Sequence, residues 1–364
     1  MNTRALLLAT ALVASAAHAA PQLETVVEGL KTPWAVAFLP DGQFLITERD
    51  GTMRTAKAGG KPGAPIQGVP AVVAEGQGGL LDVQLDSDFA RNRTIYFCFA
   101  EAGADKSTNS TALARAKLSD DLKRLTDVKV IFSQQPKVDS KLHFGCRIAE
   151  SPDGKLFLSL GERFKFMQSA QTLDNHLGKV VRINKDGSVP ADNPFVKTPG
   201  ALPEIWTYGH RNSQGLTFDE KGRLWELEHG PQGGDELNLL SPKLNYGWPV
   251  ITYGENYGGG KIGDGIFAKA GMEQPLVKWV PSIAPSGLTK LRSAKYGPAW
   301  QGNFFVGSLK FGYLERVKLD ANNRPVEQEK LFEGAGRMRD VREGPDGLLY
   351  LLLETSGRLV RVKP

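Results

Sequence analysis

Six segments of the chain repeat one pattern, in which two apolar runs are separated by Asp-Gly or an equivalent turn. The segments span residues 34–55, 80–101, 147–162, 216–230, 303–320 and 341–362. Apolar runs joined by such turns are typical of β-hairpins. Hairpins that recur at irregular spacings of roughly 40–90 residues indicate a β-propeller, whose blades are four-stranded sheets around a central channel. Each segment is expected to supply the inner strands of one blade, and the repeat count favours a propeller over two β-sandwiches.

The composition agrees with an all-β chain of many short strands. There are 41 glycines and 22 prolines among 364 residues, and no long amphipathic helix is visible. Residues 57–70 and 253–265 are rich in glycine or proline and are predicted to be exposed loops. The 45 Lys and Arg against 40 Asp and Glu give a net charge of +5 that is spread along the chain. This even distribution predicts no nucleic-acid-binding surface.

The first residues have the three parts of a secretory signal peptide. Arg4 is the positive region, residues 5–14 are apolar, and residues 17–19 read Ala-His-Ala, a cleavage signal. The prediction is a signal peptide at 1–19 and a mature domain at 20–364, located in the periplasm or outside the cell. Because the apolar run is too short to cross a bilayer, no membrane span is predicted. A retained N-terminal anchor is the alternative.

The two cysteines, Cys98 and Cys146, lie in or beside predicted strands. An oxidising compartment permits a disulfide between them, and two buried thiols fit the sequence equally well. The chain has no Cys-x-x-Cys pair and no Cys/His zinc spacing. The sequence therefore predicts no zinc site and leaves the pairing of the cysteines open.

The stretch from residue 208 to residue 248 carries the densest set of polar groups in the chain. Leu216, Phe218, Leu224 and Leu227 can be buried in a hairpin that turns at residues 219–222. Seven polar or turn residues are then expected at strand ends: Arg211, Asn212, His229, Gly230, Pro231, Asp235 and Glu236. Binding groups usually lie on loops that a rigid scaffold holds in place. This stretch is therefore the first candidate for a functional site.

Several segments together resemble one protein family. They are EGQGGLLDV (75–83), HFGCRIAESPDGKLFLSLGER (143–163), LGKVVRINKDGSVPADNPF (177–195), YGHRNSQGL (208–216), EHGPQGGDELN (228–238), NYGWP (245–249), GSLK (307–310) and GRMRDVREGPDG (336–347). In this order, and across nearly the whole mature chain, they resemble the soluble pyrroloquinoline quinone (PQQ)-dependent aldose sugar dehydrogenases, relatives of soluble quinoprotein glucose dehydrogenase. The resemblance implies a six-bladed β-propeller, in agreement with the six repeated segments.

PQQ is a planar ortho-quinone with three carboxylates, so its site needs cations and a flat slot. Arg337 and Arg339 alternate along a predicted strand, which puts both guanidinium groups on one face, where they match a polycarboxylate. The resemblance assigns ten residues to contacts with PQQ: Gln77, Arg211, Asn212, Tyr257, Ser308, Leu309, Lys310, Arg337, Met338 and Arg339.

His143 is the predicted general base, because an imidazole with a pKa of about 6.5 suits proton abstraction near neutral pH. The resemblance implies that it takes the proton of the sugar C1 hydroxyl while a hydride passes from C1 to the quinone. Arg211 would then stabilise negative charge on the quinone. Glu162 stands where several relatives carry aspartate, and it is expected to orient His143. Leu142 replaces an acidic residue of the glucose dehydrogenase relative, so recognition of one particular sugar is not predicted.

Calcium is the expected metal, because oxygen ligands are abundant in these loops and soft ligands are scarce. The resemblance implies that the carbonyl groups of Gly230 and Pro231 hold the calcium ion that also binds PQQ. It further assigns a second, structural calcium ion to Glu236 and the Tyr246 carbonyl. An ordinary loop salt bridge is the alternative for Glu236.

Together these patterns predict a periplasmic quinoprotein that oxidises the C1 hydroxyl of aldose sugars to lactones and passes electrons to an external acceptor. No Gly-x-Gly-x-x-Gly follows a strand and opens a helix, so NAD is not implied. One alternative is a calcium-dependent propeller lactonase, which would not need the arginine pair. The other is a non-catalytic propeller that binds sugar or protein.

Overall fold

The regular structure of the chain consists almost entirely of short strands. The computed structural model describes residues 20–364, so the predicted signal peptide lies outside the described residues. In chain order the strands are β1 (Gln22–Val27), β2 (Pro33–Phe38), β3 (Phe44–Glu48), β4 (Thr52–Ala56), β5 (Leu80–Leu85), β6 (Thr94–Ala102), β7 (Asn109–Leu118), β8 (Leu125–Ser133), β9 (Gly145–Glu150), β10 (Leu156–Leu160), β11 (Lys179–Ile183), β12 (Ile205–Tyr208), β13 (Ser213–Phe218), β14 (Leu224–Glu228), β15 (Asp235–Leu240), β16 (Val277–Trp279), β17 (Pro285–Lys290), β18 (Phe304–Ser308), β19 (Leu314–Leu319), β20 (Pro325–Leu331), β21 (Met338–Glu343), β22 (Leu349–Leu353) and β23 (Arg358–Lys363). A one-turn helix α1 (Phe89–Asn92) and a 3₁₀ turn (Met167–Gln171) complete the described elements.

These strands form six antiparallel sheets, and each sheet is one blade. Blade 1 contains β2–β4, blade 2 β5–β8, blade 3 β9–β12, blade 4 β13–β16, blade 5 β17–β20, and blade 6 β21–β23 with β1 at its outer edge. The innermost strands β2, β5, β9, β13, β17 and β21 contact one another in sequence and close a ring around a central axis. The predicted six-bladed β-propeller is confirmed.

Four of the glycine turns lie at the same end of the propeller. Gly42, Gly154, Gly222 and Gly347 have φ values of 81°, 74°, 72° and 73°, and each turns an innermost strand into the second strand of its blade. Glycine adopts this left-handed conformation without a steric penalty. The opposite end, where innermost strands begin and second strands finish, is called the site rim below.

Large aromatic side chains fill the spaces between blades. The rings of Trp225 in blade 4 and Phe304 in blade 5 have centroids 4.5 Å apart, and Phe44 in blade 1 lies 5.7 Å from Tyr350 in blade 6. In the hairpin predicted at residues 216–227, Leu216, Leu224 and Leu227 are buried and Phe218 is half-buried. Burial of such rings between neighbouring sheets stabilises the contacts that hold the blades together.

One repeated segment is offset by a strand from its predicted place. Residues 303–320 form β18 and β19, the second and third strands of blade 5, whereas the innermost strand is β17, of sequence PSGLTK. β17 has a single large apolar side chain, Leu288, and residues 291–303 rather than a tight turn join it to β18, so no hairpin pattern marks it. The other five segments contain the inner strands of their blades, as predicted.

Cys98 of β6 and Cys146 of β9 form a disulfide, with Cα atoms 5.7 Å apart. This covalent bond joins blades 2 and 3 and resolves the alternative that the sequence left open. Within residues 20–364, no helix is long and apolar enough to span a membrane.

Candidate functional site

A cavity of about 690 Å³ opens on the propeller axis at the site rim. Its wall contains three arginines, three side-chain amides, and apolar groups that include the Trp34 and Phe144 rings. The lining residues are Leu30, Thr32, Trp34, Arg49, Gln77, Leu81, Phe144, Gly145, Asn212, Gln214, His229, Ala284, Leu309, Arg337, Arg339, Glu354, Thr355, Ser356 and Gly357. Cations, amide groups and flat apolar surface suit a planar ligand that carries several negative charges.

Two arginines of the wall are held by one carboxylate. Arg337 Nε donates to Glu354 Oε2 at 2.9 Å, and Arg339 Nη2 donates to Glu354 Oε1 at 3.2 Å. Burial acts against ionisation of Glu354, but the charges of the two arginines hold its pKa below the usual value. With one negative and two positive charges, this trio retains a net positive charge toward an anionic ligand. Both arginines face the cavity, as their alternation predicted.

The three amide side chains of the wall are oriented by their oxygen atoms. Gln77 Oε1 accepts from the His143 backbone N–H at 2.8 Å, and Asn212 Oδ1 accepts from the Gly145 N–H at 3.1 Å. Gln214 Oε1 accepts from Arg339 Nη1 at 3.2 Å. Each amide oxygen thus accepts a hydrogen bond within the protein, and this bond fixes the orientation of the side chain.

His143 and Glu162 form a buried pair beside the cavity. His143 Nδ1 lies 2.7 Å from Glu162 Oε1, and the two side chains are 6% and 0% exposed. Glu162 follows β10 and His143 precedes β9, so adjacent strands of blade 3 bring the pair together at the site rim. An ionised Glu162 makes Nδ1 the donor, which leaves Nε2 as the basic nitrogen. The ring of Phe164, at 5.3 Å, packs edge-on against the His143 ring.

The environment of this pair favours a neutral imidazole. Burial lowers the pKa of His143 well below its usual value, and the charges of Arg211 and Arg163 act in the same direction. Burial raises the pKa of Glu162 to about 7, against the opposing effect of Arg211. A neutral histidine oriented by a carboxylate is the arrangement that a general base requires.

The Arg211 side chain is buried and donates its hydrogen bonds to backbone carbonyl groups of the protein. Its Nη1 donates to the Gly230 carbonyl at 2.7 Å and to the His229 carbonyl at 3.3 Å. The sequence analysis assigned the Gly230 carbonyl to a calcium ion. In the structure this oxygen faces a guanidinium cation, which would repel a second cation, so the Gly230 group does not fit a calcium ligand while Arg211 holds this position.

A second group of carboxylates lies behind this loop, in blade 4. Glu226 and Glu228 alternate on β14, Glu236 faces them from β15, and the Asn238 side chain donates to all three. Burial and the charge of Glu228 raise the pKa values of Glu226 and Glu236 well above their usual range. The Asn238 Oδ1 atom is buried without a partner. Uncompensated carboxylates of this kind fit a divalent cation.

The long connection from residue 241 to residue 276 brings further predicted residues to the site rim. Tyr246 accompanies β12, with its N–H bonded to the Tyr208 carbonyl, and its ring stacks on His210 at 4.9 Å. Tyr246 and Glu236 line one small cavity together with Glu228 and Gly230. Tyr257 is 64% exposed, and its ring centroid lies 6.0 Å from the Arg211 guanidinium carbon.

Five predicted PQQ contacts lie outside the cavity lining, namely Arg211 and Tyr257, described above, and Ser308, Lys310 and Met338. The Met338 side chain is fully buried in the apolar core of blade 6, so a side-chain contact with a ligand in the cavity is wrong for this residue. Ser308 is buried with its hydroxyl bonded to the Ile283 carbonyl. Lys310 is exposed on the rim, with its ammonium 5.0 Å from the Phe311 ring.

The sequence did not predict several residues of the wall, among them Trp34, Arg49, Gln214 and Glu354. It placed His229 at a strand end but not in the cavity. A signal for Glu354 was present, since it directly follows β22, the second strand of its blade, which ends at the site rim. The same strand-end position marks Arg49 and His229.

An ion-pair network closes the axis beneath the cavity. Arg147 Nη1 donates to Asp340 Oδ1 at 2.8 Å, its Nη2 donates to the Arg339 carbonyl at 2.8 Å, and its guanidinium carbon lies 4.1 Å from the centroid of the Trp34 ring. Arg342 Nε bonds Asp340 Oδ2 at 2.9 Å, and Arg342 also pairs with Asp82. Asp82, Arg147, Asp340 and Arg342 are called the axial network below. They come from three blades and form the floor of the site.

The comparisons with known proteins agree with this fold and cavity. Residues 30–361 match the family model described as glucose / sorbosone dehydrogenase. The chain belongs to the glucose/sorbosone dehydrogenase family. The prediction that it is an oxidoreductase enzyme related to the soluble aldose sugar dehydrogenases is confirmed.

Individual members of the glucose/sorbosone dehydrogenase family resemble the whole chain. The aldose sugar dehydrogenase YliI of Escherichia coli (strain K12) is 44% identical over 356 residues, which cover 96% of this chain and 94% of that protein. A crystal structure of the soluble aldose sugar dehydrogenase from E. coli in the apo-form superposes with a TM-score of 0.90 at 43% identity, covering 95% and 100%. The PQQ-bound aldose sugar dehydrogenase of Streptomyces coelicolor gives a TM-score of 0.77 at 29% identity, covering 95% and 99%.

Proposed function

We propose that the protein oxidises the C1 hydroxyl of aldose sugars to lactones with PQQ as its cofactor. The observation that carries the proposal is a cavity with a net positive wall, directly beside the buried pair of His143 and Glu162. The wall suits the three carboxylates and the flat ring system of PQQ. When bound, PQQ supplies the two-electron acceptor for the hydride that leaves the sugar C1.

The residues of the chain divide this work between binding and proton transfer. Arg337 and Arg339 bind the carboxylates of the cofactor, while Gln77 and Asn212 supply amide N–H groups to it. His143 Nε2 accepts the proton of the sugar hydroxyl. Glu162 holds the Nδ1 hydrogen and stabilises the imidazolium that forms. Arg211 supplies a delocalised cation beside the reacting groups.

Calcium is part of the proposal, and its best-supported place is the carboxylate group of blade 4. Glu236 and the Tyr246 carbonyl would hold it there, with Glu228 in the same small cavity. The ion would neutralise buried carboxylates and order the loop that carries Gly230 and Pro231. The Gly230 and Pro231 carbonyls could hold a calcium ion only if Arg211 released the Gly230 oxygen. The structure therefore gives less support to a calcium ion in contact with PQQ than to one in blade 4.

The proposed location is the periplasm, and the proposed partner is an external electron acceptor. The location is supported by the sequence of residues 1–19 and by the disulfide between Cys98 and Cys146, because disulfides persist in oxidising compartments. The exposed mouth of the cavity at the site rim would give the acceptor access to the reduced cofactor.

Dye reduction by the purified protein tests the proposal. The protein is mixed with glucose and other aldoses, with and without PQQ and calcium, and PQQ binding is followed separately by its absorption spectrum. Reduction that requires PQQ supports the function, and a further requirement for calcium supports the metal. No reduction and no spectral change would instead favour a non-catalytic propeller, and lactone hydrolysis without PQQ would favour a lactonase.

The double variant R337A/R339A tests the binding site directly. Two charge-assisted hydrogen bonds to an ionised ligand are lost, so PQQ affinity is expected to fall by on the order of 100-fold. PQQ titration that matches the wild-type protein would contradict the assignment of the two arginines.

A further inference from the structure

His229 lies at the cavity wall just after β14, and the roles assigned above leave its ring unused. Its Nε2 atom lies 2.7 Å from the carbonyl oxygen of Pro285, the first residue of β17 in the next blade. Because a carbonyl oxygen can only accept, Nε2 carries the hydrogen of this contact. The bond therefore fixes both the tautomer and the orientation of the ring.

The second ring nitrogen, Nδ1, is open to a ligand. Nδ1 makes no hydrogen bond to any of residues 20–364. It is also not among the side-chain atoms that are fully buried without a hydrogen-bond partner, so a ligand can reach it. In the neutral ring, a hydrogen on Nε2 makes Nδ1 an acceptor. His229 thus presents to the cavity a single acceptor whose direction is set by an inter-blade hydrogen bond.

Acceptors of this kind are scarce in the wall. The oxygen atoms of Gln77, Asn212 and Gln214 each already accept a hydrogen bond from the protein, as described above. Both oxygens of Glu354 are engaged by the arginine pair, and arginines can only donate. Among these charged, amide and imidazole groups, Nδ1 of His229 is the acceptor that makes no hydrogen bond within residues 20–364.

A ligand for this wall should accept at many points and donate at one. PQQ has this pattern, because its carboxylates and quinone oxygens accept and its pyrrole N–H is its one strong donor when the carboxylates are ionised. We propose that Nδ1 of His229 accepts a hydrogen bond from the N–H of PQQ, which makes His229 a cofactor-contact residue. The proposal rests on PQQ being the cofactor, and it adds a donor-recognising contact to the anion-binding contacts of the arginines.

Two substitutions separate this role from a purely structural one. In H229Q the side-chain amide can reach the position of Nε2, so the bond to Pro285 is retained while the acceptor at Nδ1 is lost. In H229N the shorter amide lies near the position of Nδ1, so an acceptor remains while the bond to Pro285 is lost. Both variants are made in the full mature chain, and PQQ affinity is measured by titration together with the melting temperature.

The expected result for H229Q is a PQQ affinity lower by roughly tenfold at an unchanged melting temperature, because a buried donor of the ligand loses its acceptor. H229N is expected to keep the affinity within about threefold and to melt earlier, because it retains the acceptor and loses an inter-blade bond. H229Q carries the test alone if H229N does not fold.

The proposal is overturned if H229Q binds PQQ like the wild-type protein, or if H229N loses as much affinity as H229Q. These results would show that His229 acts only through its bond to Pro285. If the wild-type protein itself fails to bind PQQ, the proposed function fails as well. Wild-type binding of PQQ with an unaffected H229Q variant leaves the proposed function intact and rejects only this contact.

Discussion

The propeller axis carries two sets of arginines and carboxylates that differ in how completely their charges are paired. At the site rim, one carboxylate, Glu354, faces Arg337 and Arg339, and the Arg337 side chain is 47% exposed. In the axial network, two carboxylates face two arginines, and Arg147 is 3% exposed with partners on all three nitrogens. The residue types are the same, but the upper set retains positive charge and the lower set is neutral.

This difference separates binding groups from structural ones. A buried charge without a matching partner is costly, so a surplus of charge at a cavity indicates a ligand of opposite sign. A charge whose partners are complete has nothing left for a ligand, and its removal leaves the other partners unpaired. Substitutions in the two sets should therefore affect different measurements.

The largest expected effect is on stability, from R147M. Methionine fills part of the space but removes one of the two arginines that pair with Asp340, together with the donors to the Gln214 and Arg339 carbonyls. Loss of one partner from a buried ion pair costs about 3–5 kcal/mol of the free energy of unfolding. Urea denaturation of the variant and the wild-type protein measures this difference.

The control is R91M, which removes a pair on the protein surface. Arg91 and Asp88 have side chains that are 79% and 53% exposed, and such pairs contribute roughly 0–1 kcal/mol. Equal free energies of unfolding for R147M and R91M would show that the axial network stabilises the fold no more than a surface pair does. The distinction between binding arginines at the site rim and structural arginines in the axial network would then be wrong.

The next largest effect is on turnover, from H143Q at the site rim. Loss of a general base is expected to lower the rate of sugar oxidation by roughly 100-fold or more, since Nε2 can no longer accept the hydroxyl proton. PQQ affinity should stay near its wild-type value, in contrast with the effect of R337A/R339A. Single-turnover reduction of bound PQQ by glucose measures the rate, and unchanged turnover would remove His143 from the mechanism.

The smallest expected effect is a change in the pH dependence of turnover, and it concerns Glu162, the carboxylate that pairs with His143. Burial raises the pKa of Glu162 to about 7, so the ionised fraction, which orients His143, increases as the pH rises through that value. Turnover should rise over the same range. E162Q should be slower by roughly tenfold and should lose this rise, because glutamine does not ionise.

E162D is the matched variant, because it keeps an ionisable group on a side chain that is one methylene shorter. It should retain a pH-dependent rise in turnover. The same slope in E162Q as in the wild-type protein would assign the pH dependence to another group and would contradict the role of Glu162.

Much of the fold could be predicted because the repeated hairpins depend on local patterns. Apolar runs and the turns at Gly42, Gly154, Gly222 and Gly347 mark blades 1, 3, 4 and 6 without any long-range information. Blade 5 was offset by one strand because β17 has a single large apolar residue and no tight turn follows it. The period of a strand is visible in a sequence only when one face is buried in an apolar layer.

The candidate site was predicted less completely, because its contacts join distant parts of the chain. His229 meets Pro285 across 56 residues, and Arg147 meets the Arg339 carbonyl across 192 residues. No local pattern indicates such pairs. The burial of the Met338 side chain has a simpler cause: side chains alternate along β21, so the residue between two cavity arginines faces the core.

The pairing of β1 with β23 has a consequence for how the molecule is made. The first described strand is synthesised before any blade, yet it completes the last one, in register from Gln22 opposite Lys363 to Val27 opposite Leu359. A ribosome has therefore produced nearly the entire polypeptide before the ring can seal. A premature stop that removes only β23 would also leave β1 without its neighbour and β22 with an open edge. Closure thus distinguishes full-length translation products from slightly truncated ones, which would expose two unpaired strand edges to proteases.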